Sequence, residues 1–337
     1  MSVNYSEKIR EQKRERAKEN VVGWALLSPY VILLLFFGVV PIFLGIIISF
    51  TRYNPLDSSY TQFIGFENYA TIFSFDKLIS KQFWTAFGAT LLFDAIAVPC
   101  LIVIPLALAY LINIQPPGYK IFRAIIYLPS VISITIVGIL FSGIFKDNES
   151  GLINALFHTN IVFMNGELFK GDQLRWMVMI IASIWWQTGT NFVIFLGALR
   201  DVPHTLYEAC EMDGGGRWTA MKKVTIPNIR ASIAICLFNT LIGYLGLYGQ
   251  PTVINGDLNK NTFFSPMQMI QYYLTGGLQY VKRTGFICAV AIIFGIIVVL
   301  FTMIERAIMA DRRKPNRYKK EFYGYKEAMK MGDEAYE

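Results

Sequence analysis

The stretch VVGWALLSPYVILLLFFGVVPIFLGIIISFT, from Val21 to Thr51, runs for 31 residues without an Asp, Glu, Lys or Arg. At about 1.5 Å rise per residue, roughly 20 residues cross a hydrocarbon core of about 30 Å, so this run is long enough to span a membrane. Five more uncharged runs follow: Ala95 to Tyr119, Ala124 to Phe145, Trp176 to Leu199, Ala231 to Gly256 and Thr284 to Ile304. The second is expected to begin earlier, near Trp84. Backbone N–H and C=O groups find no water partner in lipid, so runs of this length satisfy them internally as α-helices. The alternating pattern of a β-barrel is absent. An all-α membrane protein with six transmembrane helices is expected.

The whole-chain numbers agree with a lipid solvent. Of the 337 residues, 54% are hydrophobic and 16% charged, and mean hydropathy is +0.42, outside the range of soluble domains. The first run is far longer than the 7 to 15 apolar residues of a signal core and is followed by no small-residue cleavage site, so a retained first helix is expected. Cys100, Cys210, Cys236 and Cys288 form no CxxC pair, and the two histidines are His158 and His204. That pattern argues against a metal site or a disulfide framework.

Net charge is +7, but the basic residues are spread over loops and form no stripe with interleaved aromatics, so a nucleic-acid partner is not expected. Orientation explains them better. With six helices, one side collects the N-terminal segment, the loops after helices two and four, and the C-terminal tail. It holds 22 Lys and Arg against 9 on the other side. The positive-inside rule then puts both termini and the loop from Arg200 to Arg230 in the cytoplasm, with Asn68, Asn148 and Lys260 outside. Three parts follow: residues 1–20 as a charged helix on lipid headgroups, 21–309 as the six-helix domain, and 310–337 as a charged tail. In the first part Glu7 and Arg10, Glu11 and Arg14, and Glu15 and Lys18 are spaced i,i+3.

The loop between helices four and five reads as two short helices around a glycine turn. Pro203 fixes φ at the start of the first, Thr205 and Glu208 have capping-box spacing, and Gly214 to Gly216 break it. A second helix, Arg217 to Val224, is expected to stop before Pro227, because the residue preceding a proline is pushed out of the α region. This loop resembles the EAA loop of binding-protein-dependent importer permeases, whose pattern EAAxxDGAxxxxxFxxIxLP meets Glu208, Ala209, Asp213, Gly214 and Pro227 in register. Cys210 and Gly215 stand where that pattern has alanine, Met221 where it has an aromatic, and Val224 and Ile226 where it has other aliphatics.

Further segments resemble the carbohydrate branch of that family, the maltose and glycerol-phosphate type permeases. Phe63-Ile64-Gly65-Phe66-Glu67-Asn68-Tyr69 matches F-x-G-x-x-N-Y, Phe122-Arg123 with Leu128-Pro129 matches FR-x-x-x-x-LP, and Gly197 to Pro203 matches the approach to the loop. The resemblance covers roughly Trp24 to Ile308. It departs at Ile254-Asn255-Gly256-Asp257, where the family often has TGGP.

The resemblance implies a MetI-like importer permease fold and a division of labour. A separate ATPase subunit binds ATP and Mg and docks on the EAA loop through Glu208, Ala209, Cys210, Asp213, Gly214, Gly215 and Pro227. An extracytoplasmic solute-binding protein delivers a sugar or oligosaccharide, and a second, related permease completes the pore. The chain itself has no G-x-x-x-x-G-K-[ST] loop, and neither a catalytic residue nor a cofactor site is expected in it.

Sugar sites need polar side chains that replace water and aromatic faces for the ring. Ser183, Gln187 and Asn191 lie at i,i+4,i+8 beside Trp185 and Trp186. Asn239, Thr240, Tyr244 and Tyr248 follow in the fifth helix, and Ser130 and Ser133 follow Pro129 in the third, the same helices to which the resemblance points. These side chains equally suit hydrogen bonds between helices. Asp94, an acid inside the second helix, is costly in lipid and should face the bundle or a wet cavity. The alternative is an ATP-independent sugar transporter or channel, which would call for inverted repeats and several intramembrane ionisable groups. A membrane-anchored receptor using the loop only for docking is a third class.

Overall fold

The computed structural model describes residues 5–53, 61–147, 149–161, 163, 173–255, 263, 265–275 and 284–310. Asn148, Lys260, Gly256, Asp257 and the tail from Asp311 lie outside them. Among the described residues, five helices are long and apolar enough to cross a membrane: Lys18–Ser49, Leu78–Asn113, Trp176–Arg200, Arg217–Leu245 and Thr284–Ile304. A sixth span is available if the bent pair Tyr119–Val131 and Ile134–Ile144 crosses as one.

Two units divide the chain. The first holds Met1–Ser74 and Tyr273–Ile292. Its helix α1, Tyr5–Leu34, passes through Asn20 without a break, so residues 5–20 and the start of the first span share one helix. A π turn, Leu35–Val39, follows, and α2, Val40–Ser49, carries Pro41 in its first turn. The span is exposed along its length, with Leu26 and Phe37 almost fully so, as expected of a lipid-facing helix. Beyond it a two-residue strand pair, β1 (Thr51–Arg52) and β2 (Gln62–Phe63), and helix α3 (Glu67–Ile72) follow the C-terminal end of the span.

The second unit holds Phe75–Tyr272 and Ile293–Glu337. Its helix α4, Leu78–Asn113, starts six residues before the expected Trp84 and stays helical through Pro99 and Pro105. It packs chiefly along α8, Gln173–Arg200. Ala86, Ala89, Ala97 and Ala109 of α4 are fully buried. Small residues let membrane helices approach closely, which is how association is stabilised where lipid is as apolar as the side chains. Val178, Met179 and Ala182 of α8 cluster with Ala89 and Ala97, and Phe192, Phe195 and Leu196 of α8 cluster with Ala109.

The third apolar run, expected as one helix over Ala124 to Phe145, is two: α5 (Tyr119–Val131) and α6 (Ile134–Ile144), bent by 97°. Pro129 supplies no N–H to the last turn of α5, and Ile132 and Ser133 are extended. Two short helices lie between the spans of this unit: α7 (Leu152–Phe157), and α12 (Gly249–Asn255), which packs on α6. Gly138 of α6 permits that packing, because a Cβ there would stand 2.9 Å from the Val253 side chain.

Between α8 and the fifth span lie α9 (His204–Met212) and α10 (Arg217–Ala220), then a π turn, Met221–Thr225, and α11 (Ile226–Leu245). The expected stop before Pro227 does not occur. Ile226 is helical, its N–H reaches back to Met221 O, and one continuous helix runs from Arg217 to Leu245. A π turn widens the helix where the proline ring would meet the carbonyl four residues back, which relieves the clash that ordinarily ends a helix. The chain uses this device twice, since Pro41 also sits two residues past a π turn. Helix α13 (Pro266–Thr275) and helix α14 (Thr284–Ala310) complete the described elements, both crossing the boundary between units.

Candidate functional site

The glycine turn of the loop takes its shape from three different requirements. Asp213 N–H donates to Ala209 O, Gly214 N–H to Glu211 O at 2.9 Å, and Gly215 N–H to Cys210 O at 2.8 Å. Gly214 has φ +75°, the left-handed region that a Cβ disfavours. Gly215 is a close approach, where a Cβ would lie 2.6 Å from Cys210 Sγ and 2.7 Å from its carbonyl. Gly216 has open space and begins α10 as its N-cap.

The expected capping box is not formed. Helix α9 starts at His204 with Pro203 at the N-cap position, so Thr205 already lies inside it, and no side chain caps the end. Glu208 instead meets His204 Nδ1 at 3.0 Å across one turn, both side chains exposed. Tyr207 and Thr225 share a hydroxyl hydrogen bond of 3.0 Å, which ties α9 to the π turn below α11. The face this leaves to solvent carries Glu208, Ala209, Met212 and Trp218, with Lys222 Nζ 5.0 Å above the Trp218 ring. An exposed Met and Trp beside charged groups are the composition of a docking face.

Within the second unit, α8, α11 and the start of α6 enclose a cavity of about 340 Å³. Gln187, Asn239, Thr240 and Tyr244 line it, together with Trp186, Gly243 and Tyr248. Trp186 donates through Nε1 to Ile132 O at 2.8 Å. That bond satisfies the carbonyl left over where the third span breaks, and it fixes the indole at the cavity wall. Tyr244, nearly fully buried, packs at a tilt against Phe93 with ring centroids 5.5 Å apart and donates weakly to Ser183 O at 3.4 Å.

The other residues of the expected pathway lie elsewhere. Asn191 is buried and donates to Leu101 O at 2.9 Å and to Thr240 Oγ1 at 3.1 Å, linking α8 to α4 and α11. Ser183, fully buried, donates to Gln250 Oε1 at 2.8 Å. Ser130 bonds within α5 to Tyr127 O and stands against Gly189, where a Cβ would lie 2.8 Å from its Oγ. Ser133 is exposed at the N-cap of α6. Asp94 is buried in a separate, apolar groove. Gln250 and Gly189 were missed in the sequence because their roles depend on partners 67 and 59 residues away in the chain; a glutamine or glycine alone carries no such signal. Among the described residues no group of three or more His, Cys, Asp or Glu could hold a metal ion.

A largely apolar, aromatic-walled cavity with a few polar side chains inside a bundle of membrane helices, together with an exposed helix-turn-helix between two of them, fits a solute permease worked from outside its own chain. The chain belongs to the family of inner membrane components of binding-protein-dependent transport systems, whose model matches residues 101–314. It is 27% identical over 299 residues to the probable ABC transporter permease protein YesP of Bacillus subtilis, covering 87% of this chain and 92% of that one. It is 26% identical over 279 residues to the arabinooligosaccharides transport system permease protein AraP of the same organism, covering 82% and 85%. Its fold is that of a chain in the crystal structure of a bacterial ABC transporter involved in the import of the acidic polysaccharide alginate. The TM-score is 0.71 at 23% identity, covering 90% of this chain and 100% of that one. The chain is thus a multi-pass membrane permease subunit and not an enzyme.

Proposed function

We propose that this chain and a second, related permease form the pore of an ATP-driven importer, and that the cavity between α8, α11 and α6 receives a sugar or oligosaccharide. The observation that carries this reading is the lining of the cavity. Gln187 and Asn239 offer amide donors and acceptors, Thr240 and Tyr248 offer hydroxyls, and Trp186 offers a fixed aromatic wall. That set replaces the hydrogen bonds a sugar loses to water while covering its C–H face. The volume falls at the lower end of the range of about 300–1,000 Å³ for small-molecule sites. AraP is named for arabinooligosaccharides, which supports the substrate class.

Both termini and the loop carrying Glu208 face the cytoplasm in this reading, supported by the asymmetry of 22 to 9 basic residues. The loop docks on a separate ATPase subunit, which binds ATP and Mg. Glu208, Ala209, Cys210, Asp213, Gly214 and Gly215 form its contact and turn, and Pro227 sets the π turn that joins it rigidly to α11. Because one helix runs from the loop to the cavity wall at Tyr244, a push at Arg217 arrives at the cavity without crossing a hinge. A solute-binding protein delivers the sugar from outside.

The test is ATP hydrolysis by the reconstituted complex of both permeases, the ATPase and the binding protein, measured against a panel of mono- and oligosaccharides. Stimulation by a sugar, with accumulation of that sugar inside the vesicle, is the expected result. Accumulation without ATP would instead establish an ATP-independent transporter.

A further inference from the structure

Asp94 is 5% exposed, and neither of its carboxylate oxygens has a hydrogen-bond partner among the described residues. It faces a groove of about 330 Å³ whose walls are Leu91, Val98, Leu237, Leu241, Leu245 and Phe301, from α4, α11 and α14. The groove is distinct from the sugar cavity, with which it shares no lining residue. Each of the three helices that build the groove carries one basic residue, Lys81, Arg230 and Arg306, and none of these lines it.

Depth narrows the occupant. At about 1.5 Å per residue, Asp94 stands about 24 Å from one end of α4 and about 28 Å from the other, near the middle of the span. Lipid-exposed loops do not enter the hydrocarbon at that depth, so what fills the groove is a lipid chain or another helix. A lipid chain has no donor for a carboxylate. Ionisable residues inside membranes pair with one another, and a buried carboxylate is tolerated when its partner is also a good hydrogen-bond donor. A single metal ion is disfavoured by the walls, which offer no oxygen besides those of Asp94.

We propose that the Asp94 groove is the seat of an arginine or lysine carried by a membrane-spanning helix of the second permease subunit. This rests on the reading of the chain as one of a permease pair. The apolar walls take the methylene stem of the long basic side chain, and the two carboxylate oxygens take its terminal donors. The pair gives the two subunits a register, since sliding one past the other would strand a charge in lipid.

Two measurements test it on the complete importer in membranes. In the first, Asp94→Leu is made. If the groove faces lipid, the change removes an unpaired acid and leaves the complex intact. If it receives a basic side chain, the second permease recovered with an affinity-tagged chain should fall by about tenfold or more. In the second, Asp94 is kept and Val98→Cys is introduced in a functional background lacking the four native cysteines, then labelled with a photoreactive maleimide. The expected adduct lies on a spanning helix of the second permease that contains Arg or Lys. Adducts confined to lipid or to this chain overturn the proposal, and they decide the matter if Asp94→Leu lowers the amount of chain itself. Failure of the parent chain to recover any second permease would instead overturn the function on which the inference rests.

Discussion

Asn68 holds the C-terminal end of the first span by its carbonyls, donating through Nδ2 to Ser49 O at 2.7 Å and to Thr51 O at 3.1 Å. Ser49 in turn shares a hydrogen bond of 2.7 Å with the Tyr69 hydroxyl, and Phe50, Phe66 and Tyr69 close an aromatic cluster over the junction. The Phe63 to Tyr69 motif is therefore a cap for a helix end: Gly65 turns the chain at φ +59°, and Asn68 and Tyr69 supply the bonds. Asn68→Ala should cost about 1–3 kcal/mol for two buried bonds. Glu67→Ala, which removes an exposed ion pair with Arg52, should cost less than about 1 kcal/mol. Thermal unfolding of the two variants in detergent checks the order.

The glycine turn gives a prediction that separates its members. Gly215→Ala puts a methyl against Cys210 Sγ and its carbonyl, so it should open the turn and weaken retention of the ATPase. Gly216→Ala meets open space and should be nearly silent. The double change Gly214→Trp with Glu208→Lys combines a strained φ with reversed charge and should uncouple ATP hydrolysis from uptake. Co-purification of the ATPase and the ratio of sugar imported to ATP hydrolysed measure both effects.

At the broken third span, Trp186→Phe keeps the aromatic wall but removes the donor to Ile132 O. Leaving that carbonyl unmet should lower stability by about 1–3 kcal/mol and weaken sugar affinity through the loosened ring. Chemical denaturation together with sugar titration reports the two parts separately.

Gln187→Ala and Asn239→Ala should each raise the sugar concentration needed for half-maximal uptake by about 2- to 12-fold, the equivalent of about 0.5–1.5 kcal/mol per lost hydrogen bond. Asn191→Ala should behave differently. Its amide joins α8 to α4 and α11 rather than lining the cavity, so it should lower stability and protein yield with little change in sugar dependence. Uptake curves and melting temperatures for the three variants distinguish binding from packing.

Much of this architecture is legible in the amino-acid sequence because lipid imposes a simple rule: twenty uncharged residues make a span. The loop around Glu208 is legible for a different reason, since a helix, a glycine and a proline at set spacing form a local unit. What the sequence hides is long-range. Pro129 and Pro227 look alike as helix breakers, yet the third span bends by 97° just after Pro129, while Pro227 sits inside a continuous helix two residues past a π turn. Ser183, Gln187 and Asn191 share a helical face by spacing. Their fates diverge because Gln250 takes Ser183 and Leu101 with Thr240 takes Asn191, leaving Gln187 at the cavity. Capping-box spacing at Thr205 misled because the helix starts at His204, with Pro203 at the N-cap, two residues earlier than that box requires.

In the proposed function, solute passes through the cavity beside α11 under the drive of an ATPase held at the loop. Gly243 lines that cavity, and a Cβ added there meets nothing within 4 Å. Gly243→Trp therefore fills the cavity without disturbing the packing of α11, at a distance from the loop. The decisive measurement is uptake of labelled sugar into vesicles by the complete importer carrying this change, beside ATPase retention and basal ATP hydrolysis. The account predicts that uptake is abolished while the ATPase stays bound and active; uptake at the parental rate would contradict it.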